Sequence, residues 1–386
     1  MSGTSDTVHL EHIDLHEIRL PLKEPFRISS GVCTERRILL LRLRDADGVD
    51  VWSECVAGEL PNYSAETIDT AWHAITTWIA PRVLGRRFGS PGQLRPVLEQ
   101  DFRGHPMAKA AVEMGCWALA ATRARQPLSR YIGGTQSHVL TGISLGIQDT
   151  PAALVQRALA ARAAGYRKIK LKIQPGADVE FVAAVRTAIG PNVALMADAN
   201  SAYTLADASH LAQLDAFGLT MLEQPLGRDD LLQHAELQRR LATPICLDES
   251  ITDVDRARDM IALGSGRVVN IKPSRVGGIA SSIAIHDACR DAQIPVWCGG
   301  MLESGVGRAY NVALASLPNF LLPGDLSPSA RYWERDVVSP EWTMDSDGLV
   351  TVPRTHPGIG VTVDADRIDD LTQRHELLGA PSPALR

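Results

Sequence analysis

The sequence predicts an α/β protein: a modified (β/α) barrel of the TIM type with an α+β capping domain formed by the N-terminal segment and the C-terminal tail. Three observations lead there. Residues 8 to 60 read as strands and are followed by a helical block, the texture of an α+β unit. From about residue 138, short apolar strands alternate with helical segments, and eight such units are the number that closes a parallel barrel. Near the ends of five successive units stands a charged residue, Lys172, Asp198, Glu223, Asp248 and Lys272. A doubly wound open sheet is the alternative architecture for the same alternation.

Size and composition allow this fold. A chain of 386 residues, 45% hydrophobic and 22% charged, is long enough for two or three domains around a large core. The formal net charge of −6 leaves no basic footprint for nucleic acid. No stretch has the apolar length of a membrane span. The start, MSGTSDTVHLEHIDLHEIRL, lacks the charged opening and unbroken apolar run of a secretory signal, so a cytoplasmic location is expected. The six cysteines form no CxxC pair, which suits small core residues in a reducing compartment better than a zinc site or disulfide framework. His9, His12 and His16 invite a metal reading. Their spacing fits neither a zinc pair on one helix face nor a closed four-ligand site, and a structural or surface role is expected.

In chain order, VHLEHIDLHEIRLPL, RRILLLRLRDADG and VDVWSECVA read as a meander of strands. Helical patterns follow in AETIDTAWHAITTWIAPRVLG, GQLRPVLEQ and MAKAAVEMGCWALAATRAR. The capping domain is accordingly placed at 1–137. The barrel, 138–334, takes its strands from VLTGISLGI, YRKIKLKI, NVALMADAN, LTMLEQP, PICLDES, RVVNIKP, IPVWCGG and NFLLPGD. Its clearest helices are DVEFVAAVRTAIG, LADASHLAQLDAFG, DLLQHAELQRRLA, DVDRARDMIALG and GGIASSIAIHDACRDAQ. The segment 335–386, with DGLVTVPRTHPGIGVTVD, reads as β again and is expected to return to the capping domain.

The five charged residues are 26, 25, 25 and 24 positions apart, about the length of a strand, a helix and two loops. They therefore stand at one height on five neighbouring strands, and in a parallel barrel that height is the C-terminal mouth. Strand parity puts Asp198 on a face with Met196 and Asn200, Asp248 with Cys246, and Lys272 with Asn270. A single carboxylate there could be a helix N-cap, but capping does not explain three at a common interval bracketed by lysines. Three carboxylates without histidine or thiolate favour a hard divalent cation, Mg²⁺ or Mn²⁺. In KIKLKI, residues 168–173, Ile169, Leu171 and Ile173 then pack outward on the helices while Lys170 and Lys172 line the mouth. Lys168, at the strand's start, is expected near the barrel bottom in a structural or solvated place.

A cation so held would bind a substrate carboxylate and favour the enediolate formed when the adjacent carbon loses its proton. Lys172 is the expected base, because like charge from Lys170 and the cation favours a neutral amine. Lys272, arriving from the other side of the carboxylate strands, addresses the opposite face of the same carbon. One base per face is what a racemase requires; a single-face elimination uses Lys172 alone.

KLK at 170–172, DAN at 198–200, EQP at 223–225, LDES at 247–250 and NIKP at 270–273 make the chain resemble the muconate-cycloisomerase-like subgroup of the enolase superfamily over nearly its whole length. More closely, PVWCGGMLESGVGRAYNVALASLPNFLLPGD resembles the o-succinylbenzoate synthase and N-succinylamino acid (N-acylamino acid) racemase family. The resemblance implies a capping domain, a (β/α) barrel, a required divalent metal, a small-molecule carboxylate substrate and a homo-oligomer. It makes Asp198, Glu223 and Asp248 the metal ligands and Lys172 and Lys272 the acid/base pair, with Lys170 beside them. Ser144, Asn200, Gly300, Met301, Leu302 and Tyr63 would touch the substrate, and Phe26 in PFRISSG would belong to a lid loop.

Arg275 matches an arginine of family members that racemise, its other reading being a solvated residue at a helix start. SPSARYW has Ala330 where the family commonly has aspartate, a departure that bears on the pocket near Tyr332. WCGG on the seventh strand has no histidine, against the histidine-based branches of the superfamily. Asp325-Leu326-Ser327 is not the DxD of dipeptide epimerases. Muconate cycloisomerase and dipeptide epimerase remain as alternatives within the subgroup. Outside it stand a phosphate-binding barrel, suggested by GGMLESGVGR after strand seven, and a non-catalytic binding barrel.

Overall fold

The computed structural model describes residues 7–28 and 31–380. The first six residues of the expected leaderless start, Ser29 and Ser30 of the expected lid, and 381–386 of the tail lie outside the described residues. Three antiparallel strands open the chain: β1 (Val8–Ile28), β2 (Gly31–Asp45) and β3 (Asp50–Cys55). Along β1, Ile13 and Leu15 are fully buried while His12 and Asp14 on the other face are half-buried, the alternation of a one-sided sheet.

Pairing of β1 with β2 resumes at Phe26↔Cys33 after an irregularity following Pro21. Phe26, Arg27 and Ile28 of PFRISSG are thus paired strand residues rather than a free loop, and the barrel explains why. Ile147 N donates to Arg27 O at 3.0 Å, and a Cβ on Gly146 would lie 2.7 Å from that oxygen. Only glycine lets the hairpin rest so closely on the barrel rim.

Seven parallel strands follow in sequence order around the barrel: β4 (Gly142–Leu145), β5 (Lys168–Lys172), β6 (Ala194–Asp198), β7 (Leu222–Glu223), β8 (Ile245–Leu247), β9 (Val268–Ile271) and β10 (Val296–Cys298). Among the described residues the eighth expected strand, NFLLPGD, forms no regular strand. It closes the ring through isolated bridges instead, Val296↔Phe320 on one side and Thr141↔Gly324 on the other. Pro323 has no N–H to donate, so a continuous ladder cannot form there. The expected helix LADASHLAQLDAFG also breaks, into one α-turn, Ala208–Leu211, between 3-10 stretches. Asp215 in its second half turns its carboxylate away to accept from Ala242 N and Thr243 N. No helix among the described residues is long and apolar enough to cross a membrane.

The barrel interior is filled below its mouth by Met196, Met221, Cys246, Val268 and Trp297, an apolar cluster separate from the main core. Met196, Met221 and Cys246 each lie two residues before a charged residue of the mouth, as strand parity requires. Lys168 is 1% exposed, with its Nζ 3.5 Å from the Trp297 ring centroid; its place is structural and not solvated. A final strand, β11 (Thr372–Gly379), pairs with β1 and returns the tail to the N-terminal sheet.

Two buried acids tie the cap to the barrel. Glu113, on α1 (Pro106–Arg123), accepts from Ile279 N at 2.7 Å and Ala280 N at 3.0 Å, where α2 (Ile279–Asp291) starts. Glu54 of β3 accepts from Ser304 Oγ at 2.6 Å and Gly307 N at 3.0 Å, at the start of α3 (Gly305–Ala315). Helix N-termini offer unpaired donors and a positive dipole end. Burial nevertheless dominates, pushing Glu113 up to about 7 and Glu54 up to about 8.

Candidate active site

Parallel pairing sets the register of the site: Lys172 stands beside Asp198, and Asp198 beside Glu223. All six charged residues expected at the mouth are buried. Lys172 Nζ donates to Asp198 Oδ2 and to Asn200 Oδ1, both at 2.6 Å. Lys170 Nζ is 3.3 Å from both Asp198 Oδ2 and Glu223 Oε2, and 2.7 Å from Asp325 Oδ2. Across the carboxylate strands, Lys272 Nζ is 2.8 Å from Asp248 Oδ2 and 3.0 Å from Tyr63 Oη. Asn270 Nδ2 donates to Glu223 Oε1 at 2.7 Å. Asp198 and Glu223 therefore share Lys170, while Asp248 engages Lys272, Tyr63 and Arg275.

Electrostatics follow from this packing. Burial alone would raise the Asp198 carboxyl, but Lys172 and Lys170 hold it below the usual carboxylate range. Glu223 goes up, by burial and the nearby Asp198 charge. Burial disfavours the Lys170 ammonium, yet Asp325, Glu223 and Asp198 outweigh it and raise its pKa well above the ordinary lysine value. These three acids thus favour the charged form of Lys170. At Lys272 no depression is found: burial lowers its pKa, but Tyr63, Glu249 and Glu223 carry it above the ordinary value.

The remaining expected residues divide. Phe26, Tyr63, Asn200, Gly300, Met301 and Leu302 line one cavity of about 460 Å³ together with Lys172 and Lys272. Ser144, 8% exposed, pairs in register with Lys170, and its Oγ has no partner among the described residues. Tyr332 lies outside that lining; its carbonyl accepts from Lys23 N at 2.9 Å. Arg275 is 4% exposed and not solvated: it pairs with Asp248 and donates to Asn270 O at 2.7 Å. Asn200, Gln224 and Leu302 hold left-handed φ of 43°, 39° and 57°, each at a cost of order 1 kcal/mol that the surrounding structure must impose.

Sequence reasoning passed over Asp325 and Gln224. Asp325 was legible only as half of a missing DxD, yet it pairs with Lys170. Gln224, in EQP, accepts from Asp248 N at 3.1 Å and Ser250 N at 3.2 Å and so aims the LDES loop. Gly299 in WCGG has a steric reason: a Cβ would lie 2.4 Å from Asn270 Oδ1 and 2.7 Å from Lys272 Cε. GGMLESGVGR, the phosphate candidate, has its amides taken by acids. Glu303 accepts from Met301 N, Glu54 from Ser304 N and Gly307 N, and Asp336 from Gly305 N. A phosphate would find these amides already bound to acid side chains, which removes that reading.

A parallel barrel under an α+β cap, with acids on three consecutive strands between lysine strands, defines the class: the chain belongs to the enolase superfamily. The model of the enolase C-terminal domain-like family matches residues 153–367, and that of the mandelate racemase / muconate lactonizing enzyme N-terminal domain matches 12–133. More particularly, the chain is 47% identical to an o-succinylbenzoate synthase of Geobacillus kaustophilus over 366 residues, 95% of this chain and 96% of that protein. It is 48% identical to an N-succinylamino acid racemase of Thermus thermophilus over 359 residues, 92% of this chain and 95% of that protein. A solved structure of an enolase superfamily member from Listeria innocua superposes with a TM-score of 0.93 at 38% identity, covering 97% of this chain and all of that one.

Proposed function

We propose that this chain removes the proton alpha to the carboxylate of a small-molecule substrate, racemising N-succinyl or other N-acyl amino acids, dehydrating the synthase substrate to o-succinylbenzoate, or both. One observation carries the reading. Lys172 and Lys272, from strands on either side of the three acids, line the same cavity.

In this reading Asp198, Glu223 and Asp248 hold Mg²⁺, with Mn²⁺ as a substitute. Their donor set fits, being oxygen only, buried and on adjacent strands. A divalent ion there supplies electrostatic stabilisation of negative charge on the substrate carboxylate. Lys172 Nζ takes the α-proton on one face and Lys272 Nζ returns one on the other. Lys170, paired with Asp325 outside the ligand set, adds positive charge beside the developing anion. Phe26, Tyr63, Gly300, Met301 and Leu302 shape the space for the acyl and side-chain ends and keep water out.

The test is deuterium exchange: purified protein with Mg²⁺ in deuterium oxide should wash the α-hydrogen out of N-succinyl amino acids. If no N-acyl amino acid exchanges while the synthase substrate is dehydrated, the synthase half of the reading alone survives. If metal-loaded protein binds neither substrate in calorimetry, the enzymatic reading falls.

A further inference from the structure

The histidines at the chain's start find a partner that spacing could not reveal. Residues His12, Asp14 and His16 share one face of β1, and His16 lies opposite His375 of β11. The two imidazole rings stand 4.8 Å apart. Asp14 reaches between them: its Oδ1 is 2.6 Å from His375 Nε2 and its Oδ2 is 3.2 Å from His16 Nε2. One ligand atom from each of Asp14, His16 and His375 lies within 4.8 Å of the others.

His16 is the informative member. It is 5% exposed and packs 5.3 Å from Trp52, and its Nε2 makes no hydrogen bond among the described residues although Asp14 Oδ2 faces it at 3.2 Å. A buried ring nitrogen left so is costly unless something meets it. The tautomer is set on the far side of the ring. Thr372 Oγ1 gives its proton to Ile368 O at 2.7 Å, so it can only accept from His16 Nδ1, 3.4 Å away. Asp369 Oδ1 stands 3.6 Å from the same nitrogen. With the proton on Nδ1, the neutral ring aims the Nε2 lone pair at Asp14 and His375. A carboxylate behind one ring nitrogen and an open lone pair on the other is how metal-ligating histidines are oriented.

We propose that Asp14, His16 and His375 form a second metal site, remote in kind from the all-oxygen site of the barrel, which takes a borderline divalent ion such as Zn²⁺. Two imidazoles and a carboxylate are a zinc donor set. Ligand atoms around a tetrahedral ion with bonds of about 2.1 Å lie about 3.4 Å apart, so the widest separation in the present cluster needs to close by up to about 1.4 Å. His375 has a half-exposed side chain, leaving a fourth position to water. The ion clips the last strand to the first.

The test uses the whole chain saturated with Mg²⁺, so that the barrel site is filled. Zn²⁺ added in calorimetry should bind at one further ion per chain and raise the melting temperature, and Co²⁺ should give visible absorption of a four-coordinate site. His375→Ala, at a half-exposed position, and Asp14→Asn, nearly isosteric, should each weaken this binding at least about tenfold and cancel the shift in melting temperature. Zn²⁺ or Co²⁺ binding identical in wild type and both variants, or no binding beyond the Mg²⁺ site, overturns the proposal.

Discussion

Lys272→Ala separates the two faces of the proposed reaction. Lys272 is 2.8 Å from Asp248 and 3.0 Å from Tyr63. Removing it leaves Asp248 paired with Arg275 and accepting from Tyr63 Oη, so no buried charge is stranded and the fold should hold. A positioned acid or base contributes about 10²- to 10⁴-fold in rate, about 3–5 kcal/mol of barrier. Racemisation needs both amines and should fall by that factor in Lys272→Ala and Lys172→Ala alike. Exchange should divide differently. Lys272→Ala keeps Lys172 and should still exchange the α-hydrogen of one enantiomer, whereas Lys172→Ala should exchange only the other. Proton NMR in deuterium oxide, run on each enantiomer of an N-succinyl amino acid with Mg²⁺, reads exchange; polarimetry reads inversion. Racemisation retained in Lys272→Ala, or loss of exchange from both enantiomers in either variant, would refute the two-face arrangement.

Chelation should abolish turnover and Mg²⁺ or Mn²⁺ restore it, while Asp198→Asn should resist rescue at any Mg²⁺ concentration used; full activity of metal-stripped protein would contradict the assigned ligands. Gly299→Ala forces a Cβ against Asn270 and Lys272 and should destabilise by about 1–3 kcal/mol with a marked loss of rate, read by thermal melting and exchange; an unperturbed variant would show that the close approach is unimportant. Glu113 is raised from 4.5 to about 7 by burial, so between those values the folded chain binds more protons than the unfolded one. Stability should therefore fall as pH rises through about 4.5 to 7, and Glu113→Gln should flatten that slope in urea midpoints; an equal slope in the variant counts against the assignment.

The mouth of the barrel was legible because equal βα units bring equal heights together. Lys172, Asp198, Glu223, Asp248 and Lys272 announce themselves by interval, and all five are buried. What stayed hidden depends on chain segments distant in sequence. Asp325 meets Lys170 only because the eighth segment closes the ring, and that segment carries a proline where a strand pattern was expected. The hairpin at Phe26 is regular because Gly146, in the barrel, lets Arg27 approach. The histidines of β1 look unremarkable until β11 returns from the other end of the chain.

Glu54 and Glu113 have a consequence for how such a chain can change. Each is a cap residue that satisfies the first amides of a barrel helix, and pulling the two halves apart would give up those hydrogen bonds at about 0.5–1.5 kcal/mol apiece. The halves should melt together in one calorimetric peak, and neither should be soluble when expressed alone. Exchanging whole caps between relatives is then a poor route to a new substrate preference, and point changes along the cavity wall are the better one.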